Sequence, residues 1–305
     1  MKDIEIGRSG LRGSQIALGC MRIDSLADAD LAALLTAARD EGITVFDHAD
    51  IYADGRCEEA FGRALDAGVV RRDEIVLQSK AGIRPGRYDL SGAHLIAAVE
   101  ASLRRLRTDR LDLFLLHRPD ALVDPDEVAA AFDELHAAGK VLHFGVSNHS
   151  AGQIALLAGS VRQPLVADQL QLSVAHTPLI DAGLNVNMAS AASLDHDGGT
   201  LDYCRLHGIT IQPWSVLQHG YFAGSLVGSA EYPALNEELS AQAGRHGVTP
   251  AAIAVAWLLR HPAAMLPVVG TTRPARVREL ARAADVELTR EEWYSLYLAA
   301  GNSLP

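Results

Sequence analysis

Lysine is nearly missing from this sequence: of 27 basic residues only Lys2, Lys80 and Lys140 are lysines, and the rest are arginines. Cysteine is equally scarce, with Cys20, Cys57 and Cys204 far apart. Three scattered thiols make neither a disulfide framework nor a zinc-ligand pattern, which excludes a small cross-linked scaffold and fits a reducing compartment. No apolar run approaches the ~18 residues that a membrane-crossing helix needs. The opening Met1-Lys2-Asp3-Ile4-Glu5-Ile6-Gly7 lacks the apolar stretch of a secretion signal. A cytoplasmic location is therefore expected. Positive charge is in deficit too: a net charge of -11 repels phosphate backbones and anionic bilayers, so neither nucleic acid nor membrane is expected as a partner. The glycine-rich patterns GxGxxG and GxxxxGK[ST] do not occur, which argues against an open dinucleotide-binding sheet and a P-loop fold. No histidines stand at HxH or HxxxH spacing, so no metal site is expected.

What is present is a repeated alternation. Hydrophobic residues make up 49% of the chain and charged residues 21%, enough for a large core in an ordinary globular protein. Short Val, Ile and Leu runs at 15–19, 43–47, 74–80, 111–116, 141–146, 165–170, 209–214 and 266–269 read as strands. Each precedes a segment of helical periodicity, at 27–41, 57–65, 93–106, 125–138, 151–157, 201–207, 235–260 and 274–284. Eight strands, each followed by a helix, make the count of a (β/α)8 TIM barrel, and continuously apolar strands suit a parallel sheet covered on both faces. The expectation is a single α/β domain over 1–305. Segments 4–6 and 14–18 are read as an N-terminal hairpin flooring the barrel, and 290–298 as an extra C-terminal helix. The stretches 173–199 and 219–233 fit no βα unit; as long irregular segments after strands, they belong to the active face.

In such a barrel, polar side chains at the C-terminal ends of strands are candidates for chemistry. That rule selects Asp47, Lys80, His117, Ser147, Asn148, Gln169 and Trp214, with Tyr52 five residues beyond Asp47. In a chain so poor in lysine, a lysine ending a buried strand points to a need for a compact ammonium. A free phenol titrates near ~10, too high for ready proton transfer at neutral pH. A neighbouring ammonium is expected to lower that value, Asp47 to hold the ammonium charged, and His117 to hydrogen-bond the substrate oxygen.

These residues sit in recognisable segments. Phe46-Asp47-His48-Ala49-Asp50-Ile51-Tyr52 resembles the "FDTAxxY" segment of aldo-keto reductases, with His48 where threonine is common. Leu111-Asp112-Leu113-Phe114-Leu115-Leu116-His117 resembles their "DLxLLH" strand, and Gly139-Lys140-Val141-Leu142-His143-Phe144-Gly145-Val146-Ser147-Asn148 their "GKVRxxGVSN" segment. The similarity runs from about residue 18 to residue 292, and the DHADIY and HRPD wording is most similar to a bacterial branch. The resemblance implies a catalytic tetrad of Asp47, Tyr52, Lys80 and His117. It further implies hydride transfer between NADP(H) and a small carbonyl or alcohol (EC 1.1.1 type), with Tyr52 as general acid.

By the same resemblance, Ser147, Asn148 and Gln169 hold the nicotinamide carboxamide and Trp214 stacks on its ring. Ser215 and Leu217 begin the loop over the pyrophosphate, and Gly19, Cys20, Met21 and Asp47 lie beside the ribose and nicotinamide. The run Gly270-Thr271-Thr272-Arg273-Pro274-Ala275-Arg276 reads as a strand entering a helix N-terminus, an anion site. Arg276 matches the position that contacts the 2′-phosphate, with Arg273 assisting where relatives more often carry Lys, which implies NADP(H). Asp168 stands before Gln169 where many relatives carry Asn, and 175–199 matches no family segment, so the carbonyl compound is not specified; no separate assembly element appears, which leaves the oligomeric state open. Two other functions stay open: an aldolase with Lys80 as Schiff base, and a nicotinamide-binding regulatory subunit with little turnover.

Overall fold

The computed structural model describes residues 1–196, 198–220 and 224–305. The chain opens on an antiparallel hairpin, β1 (Asp3–Glu5) and β2 (Arg12–Ser14), followed by β3 (Ala17–Gly19), α1 (Asp28–Asp40), β4 (Val45–Asp47), α2 (Arg56–Asp66) and β5 (Val76–Ala81). A short ribbon of β6 (Ile83–Arg84) and β7 (Arg87–Tyr88) precedes α3 (Gly92–Leu106), β8 (Leu111–Leu116), α4 (Pro125–Ala137), β9 (Val141–Ser147), α5 (Ala151–Ala158) and β10 (Leu165–Gln169). Then come α6 (Pro178–Leu184), α7 (Thr200–His207), β11 (Thr210–Ile211), α8 (Pro233–His246), α9 (Pro250–Leu259), β12 (Val268–Val269), α10 (Pro274–Ala281) and α11 (Arg290–Ala299).

Eight of these strands form one parallel sheet in the order β11-β10-β9-β8-β5-β4-β3-β12. Its two edges meet: Leu266 N–H donates to the Ile211 carbonyl at 2.9 Å and Val268 N–H to the Pro213 carbonyl at 2.8 Å. The sheet is therefore a closed (β/α)8 barrel. Local sequence starts its outer helices where expected. Asp124 accepts the Asp126 N–H ahead of Pro125 in α4, and α5 and α11 open on the reciprocal pairs Ser150/Gln153 and Thr289/Glu292.

Strand alternation divides the core. Ala17, Val45, Val76, Leu113, Leu115, Ala167 and Val268 pack together inside the barrel, while Phe46, Leu77, Phe114, Leu116, Phe144 and Val146 pack under the helices. Ile6 joins the inner cluster from below, with Ile4 and Leu11 against it, so the hairpin does close the floor. Its second arm, however, is 12–14 rather than 14–18. The Ser14 hydroxyl accepts the N–H groups of Thr44 and Val45, pinning the chain to the start of β4 just before it enters the barrel. Gly13 permits that approach, since a Cβ there would lie 2.5 Å from Val45 Cγ2.

The stretch 173–199 is not structureless: it holds α6, begun at Pro178. Asp181 in this helix accepts hydrogen bonds from Thr177 Oγ1 (3.1 Å) and Tyr297 Oη of α11 (2.8 Å). Asp197 of this stretch, and residues 221–223 of the stretch 219–233, lie outside the described residues. Among the described residues, no helix is long and apolar enough to cross a membrane.

Candidate active site

The period of two that puts Val45, Val76 and Leu113 inside the barrel also sets Asp47, Gln78 with Lys80, and His117 on that inner face, at its C-terminal mouth. Lys80 Nζ donates to Asp47 Oδ1 at 2.6 Å and to the His48 carbonyl at 2.8 Å. Both side chains are buried, at 0% and 2% exposure. A buried ion pair is tolerable only when its remaining hydrogen-bonding capacity is used. Here Asp47 Oδ1 also accepts the side-chain amides of Gln78 and Gln169. Gln78 and Gln212 in turn exchange two amide hydrogen bonds of 2.9 Å, and Gln169 Nε2 reaches Gln212 Oε1 at 3.1 Å. This amide layer directly beneath the site was not selected from sequence, because the strand-end rule looks past Gln78 and Gln212. Their signal is an amide two residues before Lys80 and before Trp214, on the same face of an otherwise apolar run.

Tyr52 stands on the loop that leaves β4. The loop continues the pairing of β4 with β5 through His48 N–H to the Gln78 carbonyl and Asp50 N–H to the Lys80 carbonyl, both 2.9 Å. Ala53, Asp54 and Gly55 then follow one another at φ of 50°, 54° and 88°. Two successive non-glycine residues in left-handed geometry cost ~1–2 kcal/mol each, a local strain held beside Tyr52 by the strand pairing. Lys80 Nζ lies 5.1 Å from the centroid of the Tyr52 ring, which meets His117 edge-on at 6.1 Å.

The electrostatics correct one expectation. Burial, and after it the Asp47 carboxylate, pushes the Tyr52 phenol well above its ordinary value, so it is not lowered. Burial also lowers Lys80, with Asp47 pulling the other way. His117 is held well below the ordinary histidine value by burial, then by Lys80 and Arg118. Near neutral pH the mouth therefore holds a protonated phenol beside a neutral imidazole, whose Nδ1 is buried without a hydrogen-bond partner.

His48, at the position where threonine is common in the resembling family, has a different consequence. Its ring is fully buried, edge-on to Phe61 at 4.7 Å, with neither nitrogen hydrogen-bonded. Burial pulls it down to about 3, and His149 to about 4. Unfolded histidines titrate near ~6.5. The stability these two groups contribute is thus complete above that pH and is lost as pH falls towards their folded values, because only the unfolded chain gains the protons. Thermal unfolding between pH 7 and pH 4 is expected to show a falling Tm, with a shallower fall in His48→Phe. A constant difference between the two proteins across this range would remove His48 as a cause.

A cleft of about 1430 Å³ opens over this mouth, larger than the ~300–1,000 Å³ of a typical small-ligand pocket. Tyr52 and His117 line it, whereas Lys80 lies beneath. Ser147, Asn148, Gln169 and Trp214 form its middle. The Ser147 hydroxyl donates to the Gln169 carbonyl (2.9 Å), Asn148 Nδ2 donates to Ser147 Oγ (2.8 Å), and Trp214 Nε1 donates to Asn148 Oδ1 (3.1 Å). Asn148 takes φ 60°, a conformation that asparagine adopts more readily than most residues. Gly19 and Met21 line the cleft, as do Ser215 and Leu217. Cys20 is the exception among the expected residues: it is fully buried, its thiol turned to the Leu18 carbonyl at 3.6 Å, because it faces the helix-side core.

At the far end, Gly270, Thr271, Thr272, Arg273 and Arg276 surround the start of α10. Arg22, absent from the sequence reading, joins them by donating to the Gly270 carbonyl at 3.2 Å. This donor set fits a nicotinamide dinucleotide: an indole face with side-chain amides at one end, hydroxyls and guanidinium groups at the other.

A barrel with this mouth has the architecture of an oxidoreductase that works on small carbonyl compounds. The family model of the Aldo/keto reductase family matches residues 15–297, and the chain belongs to that family. It is 35% identical over 311 residues to Oxidoreductase YdhF of Escherichia coli, covering 98% of each chain. It is 36% identical over 312 residues to a 6-dehydroglucose reductase of Novosphingobium aromaticivorans, covering 99% of this chain and 96% of the relative. In structure it is similar to the thermostable aldo-keto reductase Tm1743, solved in complex with the inhibitor epalrestat, with a TM-score of 0.79 at 26% identity, covering 98% of this chain and all of that one.

Proposed function

We propose that this protein reduces an aldehyde or ketone to the alcohol with NADPH, Tyr52 delivering the proton. The observation that carries the reading is the pairing at the mouth of one cleft: a protonated phenol edge-on to a neutral histidine, over a buried ammonium–carboxylate pair. When bound, the cofactor supplies the hydride that the carbonyl carbon accepts. Charge then gathers on the substrate oxygen. Tyr52 Oη donates its proton to that oxygen, while the His117 imidazole holds it in place by a hydrogen bond. The phenolate left behind faces Lys80, whose charge is undiluted by water in so buried a place. Trp214 gives the nicotinamide ring an apolar shelf, and Ser147, Asn148 and Gln169 its carboxamide partners. Ser215 and Leu217 cover the pyrophosphate.

A Schiff-base role for Lys80 fits less well. A nucleophilic lysine must reach the substrate as a free amine, and this one is buried, spending its donors on Asp47 and His48.

The reading is tested by following NADPH oxidation with a reactive aldehyde or dicarbonyl; no turnover with either cofactor sinks it. Arg273 and Arg276 at the start of α10 support NADPH over NADH. A charge-assisted contact to the 2′-phosphate is worth ~1.5–3 kcal/mol. Arg276→Ala is therefore expected to lower kcat/KM for NADPH ~10- to 100-fold more than for NADH. Equal losses with the two cofactors would remove Arg276 from that role.

A further inference from the structure

Positive charge in the cleft is not confined to the end at the start of α10. Its lining includes Arg22, Arg118, Arg273 and Arg276, and the one carboxylate among its described lining residues, Asp47, is already tied to Lys80. In a chain of net charge -11, this is a local reversal of sign. Three of the four arginines gather at the start of α10 and Gly270. Arg118 stands apart, at the reacting end.

Arg118 follows His117 directly in the chain, and its half-buried guanidinium lies over the Trp214 ring, 5.8 Å from the centroid. Half-buried arginines away from the cleft have counter-ions: Arg72 is paired with Asp112 and Arg105 with Glu58, each at 2.7 Å, whereas Arg22, Arg273 and Arg276 at the α10 end have no such pair among the described residues. Among the described residues Arg118 forms no such pair. A guanidinium resting on an aromatic face keeps its N–H fork in plane, where it matches a carboxylate or phosphate edge bidentately. The cleft lining also includes the apolar side chains of Met21, Ile51 and Ile83, which can hold an apolar body.

We propose that the carbonyl compound this protein reduces carries an anionic group, and that Arg118 binds it while His117 and Tyr52 hold the carbonyl oxygen. The proposal deepens the carbonyl-reducing reading and rests on it. The substrate class is an oxo acid or an anionic aldehyde with a short apolar body, one end on Arg118 and the carbonyl at Tyr52. Arg118 is then the residue that sets specificity, acting on KM more than on kcat, because the anion keeps its charge through the reaction.

The test compares 4-carboxybenzaldehyde with its methyl ester, NADPH being saturating. In the wild type kcat/KM is expected to favour the carboxylate by about tenfold or more. In Arg118→Leu that ratio falls to about one, the change residing in KM, and Arg118→Lys recovers only part of it, since an ammonium lacks the planar fork. A wild-type ratio near one, or a ratio that persists in Arg118→Leu, overturns the proposal. So does a preference for the neutral, polyhydroxylated D-glyceraldehyde over 4-carboxybenzaldehyde. Calorimetric titration of benzoate against benzamide reads the anion site without turnover. Benzoate selectivity that Arg118→Leu abolishes supports the site even where reduction fails, and equal binding of the two removes it even where reduction proceeds.

Discussion

Tyr52→Phe is expected to lower kcat for carbonyl reduction by ~10²–10⁴, the usual worth of a positioned general acid, while NADPH affinity stays within about threefold. The substitution removes one oxygen and leaves the ring in place against Lys80 and His117, so the loss falls on proton transfer rather than on packing. Fluorescence titration of NADPH and a thermal melt, run beside the rate measurement, separate the two. Equal turnover would remove Tyr52 as the acid.

The pH dependence sharpens this prediction. Because burial and Asp47 raise the phenol above its ordinary value, its protonated form persists through the neutral and mildly alkaline range. The reductive kcat is therefore expected not to fall with pH on account of Tyr52 below about pH 10. Alcohol oxidation would use the same group as a base, so it is expected to be slow at neutral pH and to rise as the solution becomes alkaline. A reductive kcat that halves near pH 7 to 8 through Tyr52 would mean that the Lys80 charge outweighs burial, as the sequence alone had led us to expect.

Depth of burial accounts for a phenol that is raised rather than lowered. The sequence places an ammonium, a carboxylate and a phenol at one rim, but it does not rank their distances or the depth of the pocket. Lys80 spends its charge on Asp47 at 2.6 Å while lying 5.1 Å from the Tyr52 ring centre, and desolvation decides the sign. The fold was far more legible. The run 111–116 is β8 to the residue, and Pro125 after a capping Asp124 starts α4, because apolar periodicity and cap chemistry are local. What depends on partners distant in sequence was hidden. Gln78 and Gln212 are 134 residues apart and have meaning only once β5 and β11 face each other across the barrel. Arg22 likewise acquires its place from Gly270, on the last strand's exit. The helix α6 has a legible start signal in Thr177-Pro178 but only seven residues, too few for a periodic pattern, and Tyr297 of α11 hydrogen-bonds to its Asp181.

The same barrel-centre network makes Asp47→Asn the substitution with the largest expected effect on stability. Removing one member of a buried ion pair costs about 3–5 kcal/mol, which for a chain of this size lowers Tm by about 5–8 °C at pH 7. Lys80 would keep the His48 carbonyl and a neutral amide in place of a carboxylate. Burial already lowers its pKa and Asp47 is the chief opposing influence, so in the variant it falls further. The sign of the pH effect follows. A lysine whose folded pKa is depressed destabilises the fold fully below that folded value, and the cost declines as pH rises through it and disappears towards ~10.4, where unfolded lysine also deprotonates. The gap in Tm between wild type and Asp47→Asn is therefore expected to narrow from pH 7 to pH 10. A gap that stays constant would mean the loss comes from the altered amide contacts with Gln78 and Gln169 and not from the stranded ammonium.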